Sequence, residues 1–253
     1  MKVKLFLFIA VSFCFASCFD LTETFTLKQN GSGVYEQNLD FSRAMTLFSS
    51  IMKQAGDSSS SIMKNQTEKK DTSFSFASIA DTSSTLTQEQ IAVMRNATAY
   101  IHVDEPASQF VVKIDYPFAS QKEFAILQSA LSKGDAFSFI QSLDKTKAVK
   151  GDDKPAFSVG QYNYKLSAEG FSRSVLQQPD SSAFVAKDVK ELPEEIKDML
   201  KMHFYTIINL PKPAKSWQGS DVTVSPDKKT IKISKELKLD GKPDKDFNFK
   251  IGF

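Results

Sequence analysis

ETFTLKQNGSGVYEQNLDF, residues 23–41, carries the alternation that decides the fold. Phe25 and Leu27 point one way and Thr24, Thr26 and Lys28 the other, the period of a half-buried strand. Asn30-Gly31-Ser32-Gly33 then tolerates the positive φ angles of a tight turn, and Tyr35, Leu39 and Phe41 resume the alternation on the return. The stretch predicts a β-hairpin.

Downstream of the hairpin the period changes. Phe41, Met45, Phe48, Met52 and Ala55 recur at helical spacing, with Gly56 placed to end a helix. Asp57 to Lys70 is polar and serine-rich, too poor in apolar side chains to repay ordering, and predicts a mobile insertion at about residues 57–70. Phe74 and Phe76 alternate as a short strand, and Thr87-x-x-Gln90 is a capping box opening a helix through Met94. Ala99 to His102 and Phe110 to Tyr116 predict a strand pair closed by Pro117. Ser120-x-x-Glu123 is a second capping box, whose helix buries Phe124, Leu127 and Leu131 before Gly134 stops it.

A helical turn over Phe137 to Leu143, a charged loop over Lys145 to Lys154, and strands over Tyr162 to Leu166 and Phe171 to Val175 follow. Pro193 suits a helix's first turn and Glu194-Glu195 its positive dipole end, and that helix is expected to end near Met202. His203 to Leu210, Asp221 to Val224, Thr230 to Ser234 and Phe247 to Phe253 complete the strands. Eight to ten strands with four or five inserted amphipathic helices predict an α+β fold, with a mostly antiparallel sheet in a single compact domain.

The N-terminus is an export signal. Lys2 and Lys4 form its positive region, Leu5 to Phe15 its apolar core, and Ala16-Ser17 the small residues ahead of Cys18. That order is the one in which a cysteine thiol is acylated and the bond before it cut, so residues 1–17 would be removed and Cys18 would carry the lipid, palmitate among its acyl chains. A plain secretory signal or an uncleaved anchor is the alternative, although the core is short of the ~20 residues a span needs. Residues 18–22 would be a tether and residues 23–253 the domain. At about 3.3 to 3.6 Å per residue the tether holds the domain within roughly 18 Å of its anchor. The expected place is the bacterial cell envelope, at the outer membrane, facing the periplasm or the cell surface.

Processing also changes the charge. The precursor has 32 Lys+Arg against 30 Asp+Glu, and losing Lys2 and Lys4 leaves 30 against 30, which gives no support for a nucleic-acid partner. Cys14 leaves with the signal and Cys18 carries lipid, so no disulfide, thiolate metal site or cysteine nucleophile remains. His102 and His203 are the only histidines and lie far apart in sequence, which disfavours zinc. No G-x-S-x-G elbow, H-E-x-x-H helix, phosphate loop or dinucleotide fingerprint is present. Asp152-Asp153 lacks the spaced ligands of a calcium loop. No catalytic residue, cofactor or metal ligand is therefore assigned.

Eighteen of the 22 phenylalanines remain once Phe6, Phe8, Phe13 and Phe15 are lost. They either fill an ordinary core or line a cavity for acyl chains. The alternating Phe247, Phe249, Ile251 and Phe253 resemble the terminal strand of an outer-membrane barrel, but the inserted helices and short strands oppose that architecture. Trp217, in a polar connection after Pro211 and Pro213, either covers an edge of the core or serves as an interaction anchor.

Asn30-Gly31-Ser32-Gly33-x-Tyr35, Leu210-Pro211-x-Pro213-Ala214-Lys215-Ser216 and Val224-Ser225-Pro226-Asp227-Lys228-Lys229-Thr230, after a lipidated cysteine, resemble uncharacterised lipoproteins of Bacteroidetes type and, more distantly, the LppM-like lipoprotein domain. The resemblance covers most of residues 18–253, with Asn30-Gly31 where that group has Asp-Gly. It implies an envelope-facing α+β module, with lipid handling for LppM-like domains, and transfers no binding residue because the matching positions are turns and strands. The expected function is non-enzymatic binding of a lipid-like ligand or a neighbouring membrane protein. A structural partner in an envelope assembly, or a hydrolase without a known motif, are the alternatives.

Overall fold

In the computed structural model of the chain, which describes residues 20–46, 69–82, 86–104, 106–131, 161–177, 202–237 and 247–253, the hairpin forms as its alternation requires. Strands β1 (Asp20–Leu27) and β2 (Gly33–Asp40) pair antiparallel with Phe25 opposite Tyr35. Gly31 takes φ +79°, and Asn30 Oδ1 accepts from the Ser32 amide at 3.1 Å, so the turn closes over residues 28–32. Gly33 belongs to β2 and serves a different need. A Cβ there would run into the Thr26 carbonyl oxygen and the Phe118 ring.

The remaining strands are β3 (Lys69–Ser75), β4 (Thr98–Asp104), β5 (Gln109–Phe118), β6 (Gln161–Leu166), β7 (Gly170–Gln177), β8 (Met202–Asn209), β9 (Ser216–Gln218), β10 (Val222–Val224), β11 (Thr230–Leu237) and β12 (Phe249–Gly252). Eight form one sheet in the order β10-β11-β8-β1-β2-β5-β4-β3, and four form a second in the order β6-β7-β12-β9. Every pairing is antiparallel except that of β1 with β8. The expected α+β class holds, as one domain of two open sheets with helices inserted between the strands.

Three helices are described, at Ala77–Thr82, Gln88–Met94 and Gln121–Leu131, and residues 42–46 are also helical. The Thr87 box is complete: Thr87 Oγ1 accepts from the Gln90 amide at 3.3 Å, and Gln90 Oε1 accepts from the Thr87 amide at 2.9 Å. At the other box Ser120 Oγ accepts from the Glu123 amide at 3.2 Å. The Glu123 carboxylate, however, reaches one residue further back, to the Ala119 amide at 2.7 Å. The helix buries Phe124 and Leu127 with Ala130, while Leu131 is half-buried. Gln90 Nε2 donates to Ser129 Oγ at 3.0 Å and ties the last two helices together.

Several boundaries differ from expectation. β1 begins at Asp20, because its pairing with β8 starts there, Asp20 opposite His203; residues 20–22, expected as part of a tether, therefore belong to the strand. β3 takes in Lys69 and Lys70, opposite Asp104 and Val103, so the strand reaches into the end of the serine-rich segment; residues 57–68 lie outside the described ones. Phe76 leaves β3 to lead the helix at Ala77–Thr82. β5 runs through Pro117 to Phe118, because β4 begins at Thr98 opposite Asp115 and leaves one flank of Pro117 without a strand, where a missing N–H costs no ladder bond. The polar connection around Trp217 is the strand β9. Gly56, the helix beyond residue 46, Gly134, the turn at 137–143, the loop at 145–154 with Asp152-Asp153, and the helix from Pro193 with Glu194-Glu195 lie outside the described residues.

The core lies between the sheets. Leu21, Phe25, Leu27, Tyr35, Leu39, Phe204 and Ile208 face inward from the large sheet, and Tyr164, Phe171, Phe249 and Ile251 from the small one. Phe25 is its centre, with ring centroids of Tyr35, Phe171, Tyr164 and Phe124 at 4.7, 4.9, 5.1 and 6.1 Å. Rings at such spacings interlock as a packed core does. Phe247, Phe249, Ile251 and Phe253 are all buried here, so the C-terminal alternation serves a sheet-on-sheet core rather than a lipid-facing barrel wall. No helix among the described residues is long and apolar enough to cross a membrane.

Candidate functional site

Alternation along β1 and β7 places two charged residues on the inward faces. Glu23 stands between Leu21 and Phe25, and Arg173 between Phe171 and Val175, and both are buried. Arg173 Nη1 donates to Glu23 Oε2 and to Thr206 Oγ1, each at 3.0 Å, and Arg173 Nε to the Phe247 carbonyl at 2.7 Å. The guanidinium carbon sits 4.9 Å from the ring centroids of both Tyr162 and Phe249. The Glu23 carboxylate also accepts from the Tyr35 hydroxyl at 2.5 Å and from the Tyr164 hydroxyl at 3.0 Å. Gln37 Nε2 donates to the Tyr35 oxygen at 2.8 Å.

This cluster joins both sheets at their centre. Burial pushes the Tyr35 and Tyr164 phenols well above their ordinary pKa, and the adjacent Glu23 carboxylate pushes the same way. Burial raises Tyr162 too, with Arg173 opposing. Such groups stay protonated at neutral pH and donate to the carboxylate. The arrangement is a satisfied ion pair enclosed by aromatic rings, with the chemistry of a latch.

The histidines lie elsewhere. His203, on the outer face at the start of β8, has Nδ1 3.0 Å from Asp20 Oδ1, an atom that Arg43 Nη2 also reaches. His102 has Nδ1 2.6 Å from Asp71 Oδ1, and that bond raises its pKa, with partial burial opposing. Ser73 and His102 line one shallow groove on the outer face of the large sheet. The second ring nitrogen is turned to Gln109 Oε1 at 3.3 Å, however, and not to the serine. Among the described residues no three of His, Cys, Asp and Glu are placed to hold a metal ion.

Trp217 pairs opposite Ile251, whose side chain is buried, so the indole stands on the inward face of the small sheet at its edge strand, 41% exposed. Cys18 lies outside the described residues.

A groove of about 420 Å³ opens at the hairpin-turn end, between the two sheets. Leu27, Leu166 and Phe253 supply its apolar lining, and Lys28, Lys122 and Lys212 its charges. Neither this groove nor the buried Glu23–Arg173 pair was evident from the sequence. The signal for the pair was present, since Glu23 and Arg173 hold inward positions in otherwise apolar alternations. The groove's described residues come from five separate segments, 27–31, 120–122, 166–168, 211–212 and Phe253, and only the topology brings them together.

No protein-family model and no curated protein sequence matches the chain. Among solved structures it is distantly similar to the NMR structure of the folded domain of Mycobacterium tuberculosis LppM, with 7% identity and a TM-score of 0.37 over 94% of this chain and 90% of that one.

Proposed function

We propose that the chain is a lipoprotein of the bacterial envelope, anchored through Cys18, whose domain binds a lipid-like ligand and performs no chemistry. The observation that carries the reading is the groove at the hairpin end, where the interior between the sheets, lined by Leu27, Leu166 and Phe253, reaches solvent. Ligand sites pair apolar side chains with placed polar groups, and this groove has both, the polar ones in the majority, in a volume of about 420 Å³ that falls within their usual size. The packed rings around Phe25 favour this end over the middle of the core as the place for a ligand. With β1 starting at Asp20, two residues after Cys18, an acyl anchor would hold the domain within roughly 7 Å of the bilayer, at about 3.3 to 3.6 Å per residue.

Two measurements test the reading. Metabolic palmitate labelling is expected for the natural chain and lost in Cys18→Ser. Native mass spectrometry of the mature chain with Cys18→Ser, secreted behind a conventional signal, is expected to show a co-purified or added amphiphile. A clean apo mass at saturating amphiphile, together with stoichiometric capture of an envelope protein, would replace ligand binding with an assembly role.

A further inference from the structure

We infer that the groove at the hairpin end selects an amphiphile with an anionic head, carboxylate or phosphate, held by Lys28, Lys122 and Lys212. This rests on the reading of the groove as a ligand site and adds the chemistry of what enters it.

The three lysines come from unrelated parts of the chain. Lys28 follows β1 in the hairpin turn, Lys122 is in the first turn of the helix Gln121–Leu131, and Lys212 follows β8 after Pro211. All three are exposed, and all line the one groove with no acidic side chain among its described lining residues. None is ion-paired among the described residues, whereas Lys69, Lys113 and Lys235 each meet a carboxylate. The nearest acidic side chain in the helix, Glu123, is engaged with the Ala119 amide. In a mature chain with equal numbers of basic and acidic residues, three lysines at one concave place, with no described acidic side chain among them, are a local excess rather than a reflection of composition.

The apolar part has an equally definite place. Leu27 and Phe253 are buried, and Leu166 is half-buried beside them, so an alkyl segment laid between the sheet ends covers side chains already continuous with the core. The lysines then meet the head at the mouth, where their ammonium groups keep contact with water. The groove lies at the Leu27 end of β1, roughly 23 Å from Asp20 at about 3.3 Å per residue. Anchor and groove therefore occupy opposite ends of the same strand.

The test uses the mature chain (residues 18–253, Cys18→Ser) titrated below the critical micelle concentration with dodecanoate, dodecyl phosphate and dodecyl maltoside. Calorimetry follows binding, with chemical-shift changes at residues 27–31 and 120–122 to place the site. Dodecanoate or dodecyl phosphate is expected to bind there at least about tenfold more tightly than the uncharged maltoside, and the stronger of the two shows which head is preferred. Lys28→Gln/Lys122→Gln/Lys212→Gln is expected to lose that preference while keeping its circular dichroism spectrum, and the matching triple arginine variant is expected to keep it. Raising ionic strength from 0.05 to 0.5 M should weaken the anionic ligands alone, as estimated from screening lengths that fall from about 14 to about 4 Å. Equal binding of all three amphiphiles, or a glutamine variant that still prefers the anions, overturns the charge selection and leaves the groove reading standing. If no amphiphile shifts the groove residues, the groove reading falls as well.

Discussion

Arg173 and Glu23 meet at 3.0 Å across the space between the two sheets, where neither side chain has more than a tenth of its surface in water. One charge comes from the centre of the large sheet and the other from the small one. Each also satisfies neighbours: two phenols point at the carboxylate, and a threonine hydroxyl and a backbone carbonyl receive the guanidinium. Removing one partner leaves the other charge buried without compensation, which typically costs about 3–5 kcal/mol, whereas replacing both by apolar groups costs much less. Arg173→Met and Glu23→Leu should each destabilise the domain by that amount, and the double variant by clearly less than their sum. Urea unfolding of the four proteins in a double-mutant cycle checks it. Additive losses would mean that the pair does not act as a unit.

Tyr35, Tyr162 and Tyr164 surround the same pair, and their phenols have pKa values above the usual 10, chiefly because ionisation would place a charge in the core. Above pH 10 the unfolded chain releases these protons and the folded chain does not, so the unfolded state binds fewer protons and stability falls as pH rises. Their contribution is complete below pH 10 and is lost between that value and the folded pKa, at about 1.4 kcal/mol per pH unit for each phenol. Absorbance at 295 nm should therefore show these three of the six tyrosines ionising together with alkaline unfolding. Tyr164→Phe should shallow the pH dependence. Phenolate absorbance from all six before any loss of circular dichroism would contradict the enclosed cluster.

The hairpin, the Thr87 capping box, the helix start at Ser120 and most strands were legible because each is specified by near neighbours: a turn at Gly31, a Thr-to-Gln reach of three residues, an alternation of two. What could not be read depends on distant partners. The start of β1 at Asp20 is set by β8, more than 180 residues away, and β9 exists only because Gly252 and Ile251 offer it a ladder. Glu23 shows the same divide at the candidate site. Its inward position was visible in the alternation, but whether an inward carboxylate is paired, ligating or strained depends on Arg173, 150 positions later. Lys28, Lys122 and Lys212 look like ordinary surface lysines until the topology sets them around one groove.

Glycine substitutions in the hairpin should follow packing more than turn propensity. Gly31 has the left-handed φ that alanine resists at a cost of about 1–2 kcal/mol, and a Cβ there would meet only the flexible Gln121 side chain, at 3.3 Å. Gly33 needs no positive φ, yet its Cβ would strike the Thr26 backbone and the buried Phe118 ring, neither of which can swing away. Overpacking a fixed site typically costs about 1–3 kcal/mol and can also split a pair of strands. Gly33→Ala should therefore lower Tm more than Gly31→Ala. The reverse order in a thermal melt would show that turn conformation governs this end of the sheet.

Trp217 tests whether an exposed aromatic on an edge strand is there for a partner or for the core. Its register opposite Ile251 points the indole toward the interior, beyond which the small sheet has no further described strand to cover that flank. A ring in that position shields the ends of its neighbours from water, and truncating it returns part of its apolar area to solvent at roughly 25 cal/mol per Å². Trp217→Ala should lower stability by about 1–2 kcal/mol, measured by urea unfolding, while amphiphile binding and association with vesicles stay at the natural level. Unchanged stability with weakened vesicle binding would reassign the residue as an interaction anchor, because an edge cover acts only through the folded core that it protects.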